Sequence, residues 1–177
     1  MKQIILICLF APLFSIAQNG CPISGDNKNP KIQAADRLKN RSYFPDIKTA
    51  HPININLVLS DKANDTGLVY MDGYLTYAKI SGIESCECHS TKPEDLDYHI
   101  YIGLTPKALK KECVIVEVTR FSRIVNSNLQ FKYIKSLTGK KVRIYGYLFE
   151  DKEHKSAIGT WRKGITEIHP VFLINPI

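Results

Sequence analysis

The order of strand-like and helical segments in the second half of this chain limits it to few folds. Five segments have the apolar alternation or the β-branched and aromatic content of β-strands: residues 68–80, 96–104, 113–119, 141–150 and 164–174. A helical period interrupts them, because Leu129, Tyr133 and Leu137 recur every four residues within the segment 128–137. The predicted order is therefore three strands, one helix and two strands.

This order predicts a mainly β protein with one or two helices, folded as an OB-fold-like five-stranded barrel. The first strand is long and has Gly73 in its interior, where a glycine marks a bulge or a bend. We expect the barrel to form a domain over residues 61–177. Residues 82–95 then form the loop between the first two strands, one of the places where such barrels bind ligands.

The residues before the barrel are expected to form a signal peptide and an arm. Residues 1–17 combine a basic start, an apolar run and small residues near their end, which predicts a signal peptide cleaved after residue 17. Residues 18–60 are expected to form an N-terminal arm with a short helix over 31–41 and a short strand or covering segment over 53–59. We therefore predict a secreted or periplasmic protein with no transmembrane segment in the mature chain.

The charge and the motifs limit the classes of function. A formal net charge of +7 is compatible with nucleic acid or anionic envelope polymers as partners. The lysines and arginines are scattered along the chain, so nucleic acid is not the favoured partner. The sequence contains no phosphate-binding glycine loop, dinucleotide fingerprint, serine-hydrolase elbow or HExxH zinc motif. These absences argue against nucleotide-binding enzymes and the commonest hydrolases.

Four cysteines remain after the predicted cleavage: Cys21, Cys86, Cys88 and Cys113. An even number in an exported protein favours disulfides, and four cysteines allow three connectivities. A direct bridge between Cys86 and Cys88 would need a turn, because strand residues two apart are about 6.6 Å apart. A bridge to Cys21 or Cys113 would be less strained. Disulfide, metal-bound and free thiols all remain open as alternatives.

A metal site is the rival interpretation of this cysteine pair. Thiols two residues apart point to the same side of an extended segment and can share one ion, although zinc sites more often space their cysteines by two to four residues. Zinc and copper are the candidate cofactors. The candidate ligands are Cys86, Cys88, His89, His99 and His169.

Two carboxylate–imidazole pairs repeat the same spacing, Asp97 with His99 and Glu167 with His169. A carboxylate beside a histidine fixes its tautomer, as metal binding or general-base catalysis requires. The second and fifth strands of an OB barrel are not neighbours, so one joint site would have to lie inside the barrel or across one end. The alternative is that each pair is a local polar network that orients its strand. The charged residues 150–154 are expected to form a solvated hairpin turn.

Surface residues supply the candidate contacts for a ligand. In and around the loop 82–95 the candidate ligand-binding residues are Glu84, Glu87, His89, Tyr101 and Arg120. For stacking against the bases of a single strand, the candidates are Tyr101, Tyr145, Tyr147 and Phe121, with Arg120, Arg123 and Arg143 near them in sequence. Tyrosines on barrel strands are more often packing residues.

Six motifs along the chain carry a resemblance to a family: LKNR at 38–41, GIESCECH at 82–89, DYHI at 97–100, VEVTR at 116–120, FEDKEH at 149–154 and TEIHPV at 166–171. The chain resembles a group of secreted, functionally uncharacterised bacterial proteins, many of them from Bacteroidetes. The family pattern has a tryptophan before EIHP, where this chain has Thr166 and its only tryptophan is Trp161. The resemblance implies an exported protein with an OB-like barrel and brings no established activity.

Three functional hypotheses follow. The first is a non-catalytic, exported OB-like module that binds an unknown ligand or envelope protein through the loop 82–95. The second is a metal-binding or metal-dependent hydrolytic protein that uses the cysteine and histidine candidates. The third is a protein that binds single-stranded nucleic acid.

Overall fold

A computed structural model describes residues 20–177, and the predicted signal peptide lies outside these residues. Six strands are present: β1 (His51–Pro52), β2 (Leu68–Ile80), β3 (Tyr98–Gly103), β4 (Val114–Val118), β5 (Lys141–Glu150) and β6 (Thr166–Pro176). They lie in the order β1-β2-β3-β4-β6-β5, and β5 pairs back to β2, which closes a five-stranded barrel. β4 and β6 are parallel, whereas the other barrel pairs are antiparallel. The predicted OB-like barrel is confirmed.

The length of β2 follows from its two partners. Its first half pairs with β5, from Leu68 opposite Tyr147 to Tyr74 opposite Lys141. Its second half pairs with β3, from Tyr74 opposite Gly103 to Ile80 opposite Tyr98. Gly73 lies where one partner gives way to the other, and a Cβ atom there would stand 2.4 Å from Ile102 Cγ2. The glycine is therefore required by a close approach between β2 and β3.

Four short helices accompany the barrel: α1 (Pro30–Lys39), α2 (Ile55–Leu59), α3 (Arg120–Val125) and α4 (Phe131–Ser136). The strand expected over 53–59 is wrong, because the Asn54 side chain accepts a hydrogen bond from the backbone N–H of Asn56 and starts α2 there. The helix predicted over 128–137 is α4, and α3 precedes it. Among residues 20–177, no helix is long and apolar enough to cross a membrane.

The barrel interior is apolar because one face of each strand supplies its side chains. The interior residues include Leu75 from β2, Ile100 from β3, Val116 from β4 and Ile168 from β6. Strand geometry sends the residues between them to the outer face. That outer face carries His99, Glu117 and His169, among others, and these side chains are also buried.

Two segments bury this outer face, and together we call residues 20–41 and 82–95 the cover. The Cys21–Cys88 disulfide joins the two segments. Asn40 Nδ2 donates hydrogen bonds to the carbonyls of Cys86, at 2.8 Å, and of Ile23, at 3.1 Å. The predicted presence of a disulfide is thus confirmed, with this connectivity, while Cys86 and Cys113 are free and buried.

Candidate functional site

The register of three strands gathers five polar side chains beneath the cover. His99 of β3 stands opposite Glu117 of β4. The parallel pairing of Val116 with Ile168 places Glu117 next to the positions of β6 on either side of Ile168. Because outward-facing residues alternate along a strand, these are Glu167 and His169. We call Asp97, His99, Glu117, Glu167 and His169 the polar cluster.

His169 lies at the centre of contacts with three carboxylates. Its Nδ1 donates a hydrogen bond to Glu167 Oε1 at 3.0 Å and lies 3.4 Å from Glu117 Oε2. Its Nε2 lies 3.5 Å from Asp97 Oδ2 and has no hydrogen-bond partner in the described part of the chain. The bond to Glu167 fixes the ring orientation, and Nε2 is directed towards Asp97.

Glu117 also contacts the second imidazole of the polar cluster. Its Oε1 lies 3.1 Å from His99 Nε2, without the alignment of a hydrogen bond. Within residues 20–177, neither ring nitrogen of His99 has a hydrogen-bond partner, although the side chain is only 5% exposed. A buried polar atom without a partner costs roughly 1–3 kcal/mol, so His99 is an unusual residue for a purely structural role.

The cover adds charged and reactive groups on top of these strands. Glu84 Oε1 lies 3.9 Å from His99 Nε2, and Glu84 Oε2 lies 3.4 Å from Lys39 Nζ. The thiol of Cys86 donates to Glu84 Oε2 at 3.6 Å. Glu87 Oε1 accepts a short hydrogen bond from the backbone N–H of Asp97. The loop 82–95 is therefore packed against the strands beneath it.

A second layer lies beyond Glu167. Arg162 Nη2 is 3.1 Å from Glu167 Oε2, and its Nη1 bonds to Asp151. Both Arg162 and Asp151 are buried. The expectation that residues 150–154 form a solvated turn is therefore wrong for Asp151, because its carboxylate turns inward to pair with Arg162.

Carboxylates outnumber cations in this region. Five carboxylates belong to the polar cluster or contact it directly or through Arg162: Glu84, Asp97, Glu117, Asp151 and Glu167. Within residues 20–177, Lys39 forms an ion pair with Glu84, and Arg162 forms ion pairs with Asp151 and Glu167. Buried charges of one sign are costly unless an opposite charge compensates them. The arrangement therefore favours either protonated imidazoles or a bound cation.

The imidazole pKa values follow this excess of negative charge. Burial alone would lower the pKa of His169, but the charges of Glu117 and Glu167 outweigh it and raise the pKa to about 10. The pKa of His99 is raised in the same way, since the charge of Glu117 outweighs burial. Burial would raise the pKa of Glu117, yet the two imidazoles lower it. Without a bound cation, His169 is therefore protonated at neutral pH, and the pKa of His99 is shifted in the same direction.

Three acidic side chains in or beside the polar cluster have raised pKa values. Burial and the charge of Asp97 raise the pKa of Glu87 to about 9, so Glu87 is protonated at neutral pH. Burial, followed by the charge of Asp97, raises the pKa of the Cys86 thiol. Burial and the charge of Glu117 raise the pKa of Glu167.

Three residues of the polar cluster have the spacing of metal ligands. Asp97, Glu117 and His169 each offer one ligand atom, and these atoms lie within 4.8 Å of one another. All three residues are buried. Nitrogen and carboxylate oxygen are common ligands of zinc and of other first-row divalent ions.

The candidate metal ligands are only partly brought together. His99 and His169 both belong to the polar cluster, and Cys86 lies at its edge through Glu84. Cys88 is in the disulfide and offers no thiolate. His89 is exposed and bonds to Asp26 at 3.0 Å. The C-x-C-H motif is therefore not a ligand set, because its members point in different directions.

The candidate ligand-binding residues are scattered over the surface and the interior. His89 is exposed, Arg120 pairs with Asp95 at 3.2 Å, and Glu84 and Glu87 face the polar cluster. Tyr101 is 1% exposed, beneath Tyr77 and Lys110, so a surface ligand does not reach it.

The aromatic candidates for base stacking are not arranged as an open platform. Tyr147 is covered by the Arg41 guanidinium, 3.8 Å from its ring centre, and Tyr145 packs against Tyr70. Arg143 bonds to both oxygens of Asp72, at 2.7 and 2.8 Å. The guanidinium of Arg123 donates to the carbonyls of Val118, Glu94 and Leu96. Phe121 is half-buried beside Arg120.

The two carboxylate–imidazole pairs form one site, and it lies in an unexpected place. The expectation of a joint site inside the barrel or across its end is wrong, because β4 lies between β3 and β6 and Glu117 bridges them on the outer face. The sequence patterns did not indicate Glu117, Lys39 or Arg162 as residues of this site. The one signal for Glu117 is a single acid among the β-branched residues of β4, at a position that alternates outward.

No family model matches the chain, and no curated protein matches its sequence. The resemblance to secreted bacterial proteins therefore stays a prediction.

Proposed function

We propose that this protein is an exported, non-catalytic OB-barrel module whose ligand is a divalent metal ion, held in the polar cluster by Asp97, Glu117 and His169. The observation that carries the proposal is the convergence of these three buried residues, with ligand atoms within 4.8 Å of one another. Zinc fits this nitrogen and oxygen set, and copper is the alternative ion.

The distances support a ligand set more than a set of hydrogen bonds. Nitrogen and oxygen ligands lie about 2.0–2.2 Å from zinc, so two ligands of one ion are roughly 3–3.5 Å apart. His169 Nε2 and Asp97 Oδ2 are 3.5 Å apart and share no hydrogen bond. The bond from His169 Nδ1 to Glu167 has the role of the outer carboxylate that orients a metal-bound histidine.

Two observations support the rest of the proposal. The side chains of Asp97, Glu117 and His169 are at most 6% exposed, which leaves little room for a substrate beside the ion and favours binding over hydrolysis. The predicted signal peptide and the Cys21–Cys88 disulfide support export, because disulfides persist in oxidising compartments.

Elemental analysis tests the proposal. The protein should be purified without chelator and with a histidine-free tag, then measured by mass spectrometry of its metals. We expect at least one ion per chain, and its loss in Asp97→Asn, which keeps the side-chain shape, and in His169→Gln, which keeps a polar side chain. The matched control is His51→Gln, because His51 is an exposed histidine paired with Asp65.

A second set of measurements distinguishes the loss of a metal ligand from the misfolding of a variant. Wild-type protein stripped with a chelator should bind added Zn²⁺ in a calorimetric titration, and circular dichroism should show whether each variant retains the barrel. A wild-type protein that retains no metal and binds none on titration would overturn the proposal, and the polar cluster would then be a structural network of histidines and carboxylates.

A further inference from the structure

An open pocket of about 480 Å³ lies where β3 ends, and no residue of the polar cluster lines it. The pocket is formed by three segments: α2, the connection 104–113 between β3 and β4, and the segment before β6. Its lining residues include Asn56, Leu59, Leu104, Ala108, Glu112 and Lys163. A pocket of this volume is large enough to hold a small molecule.

The walls of the pocket are held together by contacts within the folded chain. The connection folds back closely over the end of β3, because a Cβ atom at Gly103 would stand 2.4 Å from Ala108 Cβ. The backbone N–H of Ala108 donates a hydrogen bond to the carbonyl of Thr105 at 3.2 Å. The backbone N–H of Lys163 donates to the carbonyl of Cys113 at 3.1 Å, which joins the third segment to the connection. The pocket is therefore preformed.

Much of the pocket wall is apolar, and part of this apolar surface is exposed. Leu59 and Ala108 are half-buried, whereas Leu104 is 50% exposed. Leu57 of α2 and Leu109 of the connection are also exposed, so both segments carry further apolar surface. Single exposed leucines are ordinary, but apolar side chains gathered in a pocket with a few polar groups are typical of a binding site.

Three polar side chains of the pocket limit the class of ligand. Within residues 20–177, Lys163 forms no salt bridge and the side-chain amide of Asn56 makes no hydrogen bond. Glu112 is already engaged, because its Oε2 accepts a hydrogen bond from the backbone N–H of Leu109 at 2.9 Å. One lysine beside one carboxylate suits a ligand with a single negative charge, since Glu112 repels any further negative charge.

We infer that this pocket binds a small amphiphilic carboxylate, such as a medium-chain fatty acid, with its alkyl chain against Leu59, Leu104 and Ala108 and its carboxylate at Lys163 and Asn56. The site is separate from the proposed metal site and does not depend on it. Burial of apolar surface supplies most of the attraction, because the alkyl chain covers the exposed part of Leu104. The ion pair with Lys163 adds little affinity and selects the sign of the head group.

Calorimetric titration with decanoate tests the inference, and decyltrimethylammonium supplies the same alkyl chain with a positive head group. Both titrations use chelator-treated protein, so that no bound metal holds the carboxylate. Wild type should bind one decanoate per chain and should bind decyltrimethylammonium more weakly. Leu104→Gln should weaken decanoate binding about tenfold, because roughly half of a leucine side chain loses its apolar contact. Lys163→Glu should reverse the preference between the two amphiphiles.

The matched controls change exposed residues that do not line the pocket. Leu38→Gln replaces a leucine of α1 that is 47% exposed, close to the exposure of Leu104. Lys48→Gln removes an exposed lysine from the segment before β1. Both variants should keep the wild-type affinity for decanoate within about twofold.

Two readings are made on the wild-type protein, so a variant that fails to fold does not decide them. Wild type that shows no saturable binding of one decanoate per chain would overturn the inference. Equal affinities of wild type for decanoate and decyltrimethylammonium would overturn the selection of a carboxylate by Lys163. Circular dichroism shows whether each variant retains the barrel, and unchanged decanoate affinity in folded Leu104→Gln would contradict this location of the site.

Discussion

Asp151 illustrates how two neighbouring side chains determine the protonation of a buried carboxylate. It lies between His154 and Arg162, with its Oδ2 2.8 Å from His154 Nδ1. Burial alone would raise the pKa of Asp151, but the hydrogen bond from His154 and the charge of Arg162 outweigh it and lower the pKa to about 2. The folded protein therefore holds this group ionised more strongly than the unfolded chain does.

This difference in pKa predicts that the free energy of unfolding decreases at acid pH. Because the folded pKa is below the unfolded value, the contribution of Asp151 is complete above about pH 4 and is lost as the pH falls towards 2, an effect of about 2 kcal/mol. Urea denaturation of chelator-treated protein at a series of pH values should show this loss in wild type and not in Asp151→Asn. The exposed neighbour Glu153 gives the control, Glu153→Gln. Parallel pH curves for wild type and Asp151→Asn would contradict the assignment.

The polar cluster was only partly predictable from its residues. The repeated spacing of Asp97 with His99 and of Glu167 with His169 indicated all four of these residues. Strand alternation predicted that the two members of each pair lie on the same face of their strand. Glu117 has no such spacing, because its role comes from the register of β4 against two strands distant in sequence. Register between distant strands depends on barrel closure, which no local pattern encodes.

Strands β5 and β6 meet closely at Gly146, and this close approach yields a prediction at the scale of elements. The pairing between the strands shifts on both sides of Gly146. A Cβ atom there would lie 2.4 Å from Ile168 Cγ2 and 2.4 Å from the carbonyl oxygen of Pro170. Gly146→Ala should therefore destabilise the barrel by about 1–3 kcal/mol, because a backbone atom has to move.

Urea denaturation provides the measurement, and Gly82 provides the control. A Cβ atom at Gly82 would meet no atom within 4 Å. Gly82→Ala should change the free energy of unfolding by less than about 1 kcal/mol. Equal stabilities for Gly146→Ala and Gly82→Ala would show that β6 moves aside without cost.

A disulfide joins the two segments of the cover and closes a long loop. Cys21 and Cys88 are 67 residues apart in sequence. In the chain-entropy treatment, a loop of this length stabilises the folded state by about 4 kcal/mol. The double variant Cys21→Ser/Cys88→Ser should lose roughly this amount. Reductant should lower the stability of wild type towards that of the double variant and leave the double variant unchanged; an equal effect of reductant on both would contradict the role of this bond.

Elements were more predictable than their connections. The strand order, the glycine in β2 and the helix before β5 all follow from local periodicity. The cover does not, because its two segments are held together by contacts between residues far apart in sequence, such as Asn40 with Cys86 and Lys39 with Glu84. The start of α2 at Asn54 was not predicted, because the β-branched residues around Asn54 favour strands.

The polar cluster ties the whole molecule to its proposed ligand. Its residues come from the approach to β3 and from β3, β4 and β6, and Glu84 comes from the cover. Unfolding of any of these elements separates the ligands. The unfolded chain therefore has no preformed site, and binding free energy adds directly to the stability of the folded barrel.

This coupling predicts a large effect of metal on thermal unfolding. At a free ion concentration of one hundred times the dissociation constant, the folded state gains about 2.7 kcal/mol, which raises the melting temperature by about 5–10 °C for a domain of this size. Calorimetry of wild type with zinc and with chelator should show this difference, and His51→Gln should show the same one. His169→Gln should show little, because its ion has lost the nitrogen ligand. If wild type melts at the same temperature with zinc and with chelator, the polar cluster is a structural network of charges in which Glu117 and Glu167 stabilise a protonated His169 without metal.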